Sequence, residues 1–213
     1  MNAAEINEKI LSLTASGAQH ERLVNELIKV MIDLDMNRFE IILDGFIEVE
    51  GIEKGITHLI FPFMEKIGIL WLTNHINPAQ EHLVSNLIRQ KLIVGIEGSR
   101  PAVKIKKSLL LFLPEGEHHE LGLLFIYFML KARGLDVIYL GTDVPMKDVE
   151  YIVKVKNPDY LFSHLTTMGP SLDFEKFISH LRKKFSGMPV VLSGQVIQRY
   201  EKKTLPPVLL KKS

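Results

Sequence analysis

The sequence contains no cysteine. That excludes disulfides, thiolate metal sites and cysteine nucleophiles, and it leads us to expect a reducing, cytoplasmic setting. Charge of one sign is also missing. Twenty-six Lys and Arg against 25 Asp and Glu leave a net charge of +1, so the whole-chain field does not point to nucleic acid or to a membrane. Residues 1–5 show neither the basic start nor the apolar run of a signal peptide. The most apolar stretch, 59–72, is interrupted by Pro62, Glu65 and Lys66. It is shorter than the roughly 18 residues of a spanning helix, which predicts a core segment and no membrane partner. Internal repeats and low-complexity segments are absent too. What remains is ordinary for a globular protein: 46% hydrophobic and 24% charged residues over a length of 213, enough for one large or two modest domains.

The first ninety-odd residues read as helices alone. Ile6, Ile10, Leu11 and Leu13 are spaced for a short amphipathic helix ending near Gly17, and Leu23, Leu27, Ile28 and Met31 for a second. Phe39, Ile42, Leu43, Phe46 and Ile47 mark a third, stopped near Gly51. The fourth covers about 53–71, with Ile56, Leu59, Ile60, Phe63, Ile67 and Leu70 on its buried face and a kink expected at Pro62. The fifth carries the fullest start signal: Asn77 as N-cap, Pro78 at the first helical position and Gln80 completing a capping box. Short connections predict an antiparallel bundle.

Glu97-Gly98-Ser99-Arg100-Pro101 breaks the helical pattern. We expect a bundle over 1–97, a linker over 98–104 and a second domain over 105–213. The basic residues Arg100, Lys104, Lys106 and Lys107 read as a solvated linker and strand start. Beyond it strands (109–113, 136–140, 160–165, 190–193) alternate with helices (119–133, 145–156, 172–186 and a weaker one at 195–202). That alternation predicts a parallel sheet with right-handed crossovers. The run 206–210 reads as a final edge strand.

The working centre is placed in the loop after the first strand, Leu113-Pro114-Glu115-Gly116-Glu117-His118-His119-Glu120-Leu121-Gly122. Open α/β sheets place ligands at the carboxyl ends of their strands. In an extended loop Glu117 and His119 face the same way, so the carboxylate takes the imidazole Nδ1–H and Nε2 becomes a basic, oriented donor. Such a donor suits either metal ligation or proton transfer. Ser163-His164-Leu165-Thr166-Thr167 and Ser193-Gly194-Gln195 lie at the ends of the third and fourth strands, where small and hydroxyl residues suit close approach of a bulky ligand. Taken singly, Ser163 also reads as a strand-end hydrogen-bonding residue, Gly194 as a turn leading into a helix, and His118 and His164 as bystanders.

The pattern Glu117-x-His119-x-x-Gly122, then Ser163-x-Leu165, then Gly194 resembles the signature of the cobalamin-binding Rossmann-like (flavodoxin-like) domain. That resemblance implies His119 as lower axial ligand of cobalt, Glu117 as its hydrogen-bonded partner, and Ser163, Leu165 and Gly194 along the slot for the displaced nucleotide tail. Glu117 stands where many members have Asp, and Ser193-Gly194 replaces Gly-Gly. In the helical half, Trp71 followed after nine residues by Glu81-His82 is similar to the Trp-x9-Glu-His motif of the helical cap in cobalamin-dependent, light-sensing MerR-type repressors. There the motif covers the upper face of the cofactor. Leu72 stands where those photoreceptors carry a cobalt-capturing histidine, and His75 is offset by three residues. Nothing before Ala18 is long or basic enough for a winged helix-turn-helix.

The two motifs together imply a sensory module rather than an enzyme. It would take adenosylcobalamin or methylcobalamin between bundle and α/β domain and work as a homo-oligomer, reaching DNA only through a helix-turn-helix outside these residues. The enzymatic alternative is a corrinoid methyl carrier, and a third is a degenerate interaction scaffold.

Overall fold

The computed structural model describes residues 3–167, 173–200 and 208–211, of which 3–16 are described as helix backbone only. It divides into two compact units, Met1–Lys91 and Leu92–Ser213.

The first unit is helical. Helix α1 runs from Ala3 to Ile32 without interruption, so the two short helices expected on either side of Gly17 are one. Glycine inside a helix costs only about 1 kcal/mol relative to alanine, and here the helix continues through it. The side chains of Ile6, Ile10, Leu11 and Leu13 lie outside the described residues. A Cβ on Gly17 would meet nothing within 4 Å. We therefore expect Gly17→Ala to raise stability by about 0.5–1 kcal/mol, readable as a higher melting temperature.

Helix α2 (Met36–Glu50) is capped by Asp35, whose carboxylate accepts the Arg38 N–H at 3.0 Å, and ends on Gly51 at φ +84°. Phe39 and Leu43 are fully buried, and Phe39 meets Phe63 edge-on at 5.3 Å. The fourth predicted helix is segmented: α3 (Ile52–Lys54), a π-helical stretch (Gly55–Ile60) and α4 (Phe61–Leu72). The expected disturbance at Pro62 takes the form of this widened turn, which precedes a proline whose ring clashes with an ordinary α turn behind it. Gly55 sits there against α2, where a Cβ would stand 2.8 Å from Ile47.

The run Ile52–Leu72 is 21 residues long, and by length and composition it could cross a membrane. The length argument against a span thus fails. What speaks for a core segment is burial: Ile56, Leu59, Ile60, Phe63 and Ile67 are all inside, and Lys66 bonds Asn25 of α1 at 2.9 Å. Helix α5 (Pro78–Gly98) starts as expected. Ala79 N–H donates to the Asn77 side chain and Asn77 N–H to the Gln80 side chain, both at 2.8 Å. Val84 and Ile88 are buried, whereas Leu83 is exposed. Lys91 ties α5 to α2 through Asp44 (2.9 Å) and Glu40. Burial opposes its charge, but the two carboxylates win and raise its pKa.

The second unit alternates strand and helix: β1 (Ser108–Pro114), α6 (Leu121–Ala132), β2 (Asp136–Val144), α7 (Met146–Lys156), β3 (Tyr160–His164), α8 (Phe174–Lys184), β4 (Val190–Ser193), α9 (Gln195–Arg199) and β5 (Val208–Leu210). Of the expected elements, residues 172, 201–202 and 206–207 lie outside the described residues. All pairings are parallel, in the order β2-β1-β3-β4-β5, the flavodoxin-like arrangement. One face of the sheet packs Leu109, Leu111 and Leu113 with Leu123 of α6. The other packs Leu110, Phe112, Leu161 and Leu165 with residues of α7, α8 and α9. Strands buried on both faces explain why these runs are continuously apolar. The order reverses between β1 and β3, so the loops leaving these two strands diverge and open the crevice where such sheets bind ligands.

Candidate functional site

The loop after β1 begins with a turn closed by Glu117 N–H donating to the Pro114 carbonyl at 2.9 Å. Gly116, at φ +85°, fills the position of a type II turn that requires the left-handed region. This turn delivers Glu117 to the interior and His119 to the surface: the Glu117 side chain is 0% exposed and that of His119 58%.

Glu117 gathers four donors. Oε1 accepts from His119 Nδ1 (2.7 Å) and His119 N–H (2.9 Å); Oε2 accepts from Thr166 N–H (2.9 Å) and Thr167 N–H (2.8 Å). The carboxylate therefore pins the β1 loop to the β3 loop across the switch point. Burial alone would raise its pKa. The hydrogen bonds from the His119 ring and from backbone N–H groups of His119 and Thr167 prevail and hold it at about 2. With Nδ1–H given to an ionised carboxylate, the lone pair of the imidazole resides on Nε2, the tautomer a ligand or base needs. Thr167 Oγ1 lies 3.3 Å from the same Nδ1.

His164 stands at the end of β3. Its Nδ1 pairs with Ser193 Oγ at 2.9 Å, and its ring lies where a Cβ on Gly122 would come within 2.5 Å. Gly122 is thus a glycine because a β3 histidine packs on the first turn of α6. Burial pushes the His164 pKa down, with the Glu117 charge opposing. Ser193 spends its side chain on His164, which accounts for a serine there.

Ser163 and Leu165 alternate onto the other face of the sheet, beside Leu161. Ser163 is fully buried, and among the described residues its hydroxyl has no hydrogen-bond partner. Such orphans are rare, and each calls for a reason. Gly194, at φ +101°, lies so close to β3 that a Cβ would stand 2.3 Å from the Leu165 carbonyl oxygen.

In the helical unit, Trp71 is the second-last residue of α4 and Glu81-His82 lies at the start of α5, with only residues 73–77 between the two helices. The connection brings both helix ends to one end of that unit. Trp71 is 54% exposed, far more than an aromatic anchor needs. His82 Nδ1 lies 3.5 Å from Glu81 Oε2, and both side chains reach solvent. Leu72 is exposed as well.

Two participants were not singled out by sequence: the backbone N–H groups of Thr166 and Thr167, and Asp143 at the end of β2. Asp143 is visible only as part of Gly141-Thr142-Asp143, a glycine and an aspartate that both tolerate left-handed backbone.

Two family models, both described as a B12 binding domain, match the chain over residues 108–207 and 23–94. Both matched regions are thus B12 binding domains, and the cofactor they support is cobalamin. Among curated relatives, the HTH-type transcriptional repressor CarH of Myxococcus xanthus is 29% identical over 168 residues, 78% of this chain and 56% of the repressor. The repressor CarA of the same organism is 28% identical over 153 residues, 72% of this chain and 51% of the relative. The chain spans about half the length of these relatives. Among solved structures, the monomethylamine corrinoid protein of Methanosarcina barkeri shares the fold with a TM-score of 0.65 at 16% identity, covering 82% of this chain and 84% of that one.

The residues fit such a cofactor. Among the described residues no three His, Asp or Glu side chains converge as a metal cage. A single braced imidazole suits a metal that arrives with its other ligands in place. The Ser163 hydroxyl, without a partner among the described residues, suits a polar group inserted along β3.

Proposed function

We propose that this chain is a cobalamin-binding sensory module, the effector half of a MerR-type transcriptional regulator, with His119 as the lower cobalt ligand. The observation that carries the reading is the buried Glu117 carboxylate holding the exposed His119 ring at the β1/β3 switch point. Bound cobalamin supplies a cobalt centre whose upper ligand is exchangeable. Glu117 orients His119 and keeps its Nδ1 protonated, while Gly122 makes room for His164 beside the loop. Ser163, Leu165 and Gly194 line the side of β3 that receives the tail. Trp71, Glu81 and His82 serve the upper face, and the domains divide functionally as bundle 1–97, linker 98–104 and cobalamin domain 105–213. The likeness to two HTH-type repressors over most of this chain supports regulation rather than catalysis.

The test is electron paramagnetic resonance of the cob(II)alamin complex made with 15N-histidine-labelled protein. We expect the nitrogen splitting to change from a triplet to a doublet on labelling, and His119→Ala to remove the labelled splitting. A spectrum unchanged by the label would mean that the cofactor keeps its own base, and the assignment of His119 would fall. Turnover of a methyl group between partner proteins would replace the sensor with a carrier.

A further inference from the structure

The geometry points to Asp143 as a positioning residue for His119, acting through the turn that carries Glu117. Strand β2 does not end where its apolar run does. Leu111 of β1 stands opposite Tyr139, but Phe112 is opposite Gly141 and Pro114 opposite Val144. Two extra residues in β2 are therefore accommodated as bulges, which bend a strand and re-aim its side chains. Gly141 at φ +85° and Asp143 at φ +57° make the bends, and Val144 anchors the end in the core.

The result is a two-point clamp. Asp143 Oδ1 accepts the Gly116 N–H at 2.8 Å, and Asp143 N–H donates to the Glu117 carbonyl at 3.2 Å. The first bond satisfies the amide of the left-handed glycine in the turn. The second fixes the Glu117–His118 peptide. Aspartate suits this position twice: it tolerates left-handed backbone better than most residues, and its short side chain reaches the neighbouring turn. Both bonds act on the segment that sets where Glu117, and hence the His119 ring, is presented.

This inference rests on His119 as the cobalt ligand, so the experiment keeps the two claims apart. Asp143→Gly keeps the backbone free to be left-handed but deletes the acceptor; Asp143→Asn keeps both. For the full chain, we expect Asp143→Gly to weaken cobalamin binding roughly three- to tenfold, as loss of one such hydrogen bond implies. Exchange of the Gly116 amide in the cofactor-free protein should quicken by a similar factor. Asp143→Asn should restore both. If Asp143→Gly binds and exchanges like the parent chain, the positioning role is overturned. If the amide quickens but the parent chain shows no labelled-histidine splitting, the clamp stands and the ligand assignment fails.

Discussion

Replacing Glu117 with glutamine is expected to cost about 3 kcal/mol of folding stability at neutral pH and to remove the acid-side sensitivity it confers. All four groups around the carboxylate are donors. A carboxamide offers one oxygen, so its NH2 must face either the two threonine N–H groups or His119, and at least one backbone N–H is left without an acceptor inside the protein. The pH dependence follows from the sign of the shift. The folded pKa is about 2 against an ordinary 4.5, and the side chain is fully buried, so solvent does not screen the difference. A depressed carboxylate contributes stability that is fully present above pH 4.5 and lost as pH falls towards 2. At 1.36 kcal/mol per unit this amounts to about 3 kcal/mol. Urea unfolding of both proteins from pH 7 to pH 2 checks it. The gap between them should be widest at neutral pH and should narrow below pH 4.5. A constant gap would mean that Glu117 acts by shape and not by charge. The same substitution should weaken cobalamin binding, because a neutral amide no longer braces the His119 ring as a carboxylate does.

The sheet was legible because parallel strands covered on both sides must be apolar at every position, and such runs as Ser108–Pro114 read directly. The start of α5 was legible because Asn77, Pro78 and Gln80 each solve a local hydrogen-bonding problem at a helix start. Structure departs from local signals where those are weak against packing. Gly17 looks like punctuation, but it interrupts nothing. Pro62 announces a disturbance without saying that the chain will widen upstream of it. The end of β2 was hidden because Gly141 and Asp143 look like a turn, whereas they bend a strand that continues to Val144. In the site, spacing sufficed to pair Glu117 with His119, since two residues apart is a local relation. The other half of the carboxylate's environment comes from backbone N–H groups 49 and 50 residues away. No side-chain pattern encodes those. The contacts of His164 are hidden for the same reason, because its partners Gly122 and Ser193 come from two other elements.

The two motif glycines of the α/β unit should respond differently to alanine. At Gly122 the added methyl meets the His164 ring, a side chain that can rotate away once its bond to Ser193 Oγ is given up. A moderate loss of about 1–3 kcal/mol is expected there. At Gly194 the obstacle is backbone: the Leu165 carbonyl oxygen at 2.3 Å, its carbon at 2.8 Å and its nitrogen at 2.9 Å. That carbonyl cannot retreat freely, because it accepts the Val196 N–H at 3.1 Å while Leu165 N–H donates to Ser193 at 2.8 Å. The φ of +101° adds strain of its own for any residue with a Cβ. Clash and strain together make Gly194→Ala the more damaging change, by more than about 3 kcal/mol. Thermal unfolding of the two variants beside the parent chain reads the difference. Equal melting temperatures for Gly194→Ala and the parent would show that β3 and β4 are not packed this closely, and the place given to Ser163 and Leu165 beside the cofactor tail would go with it.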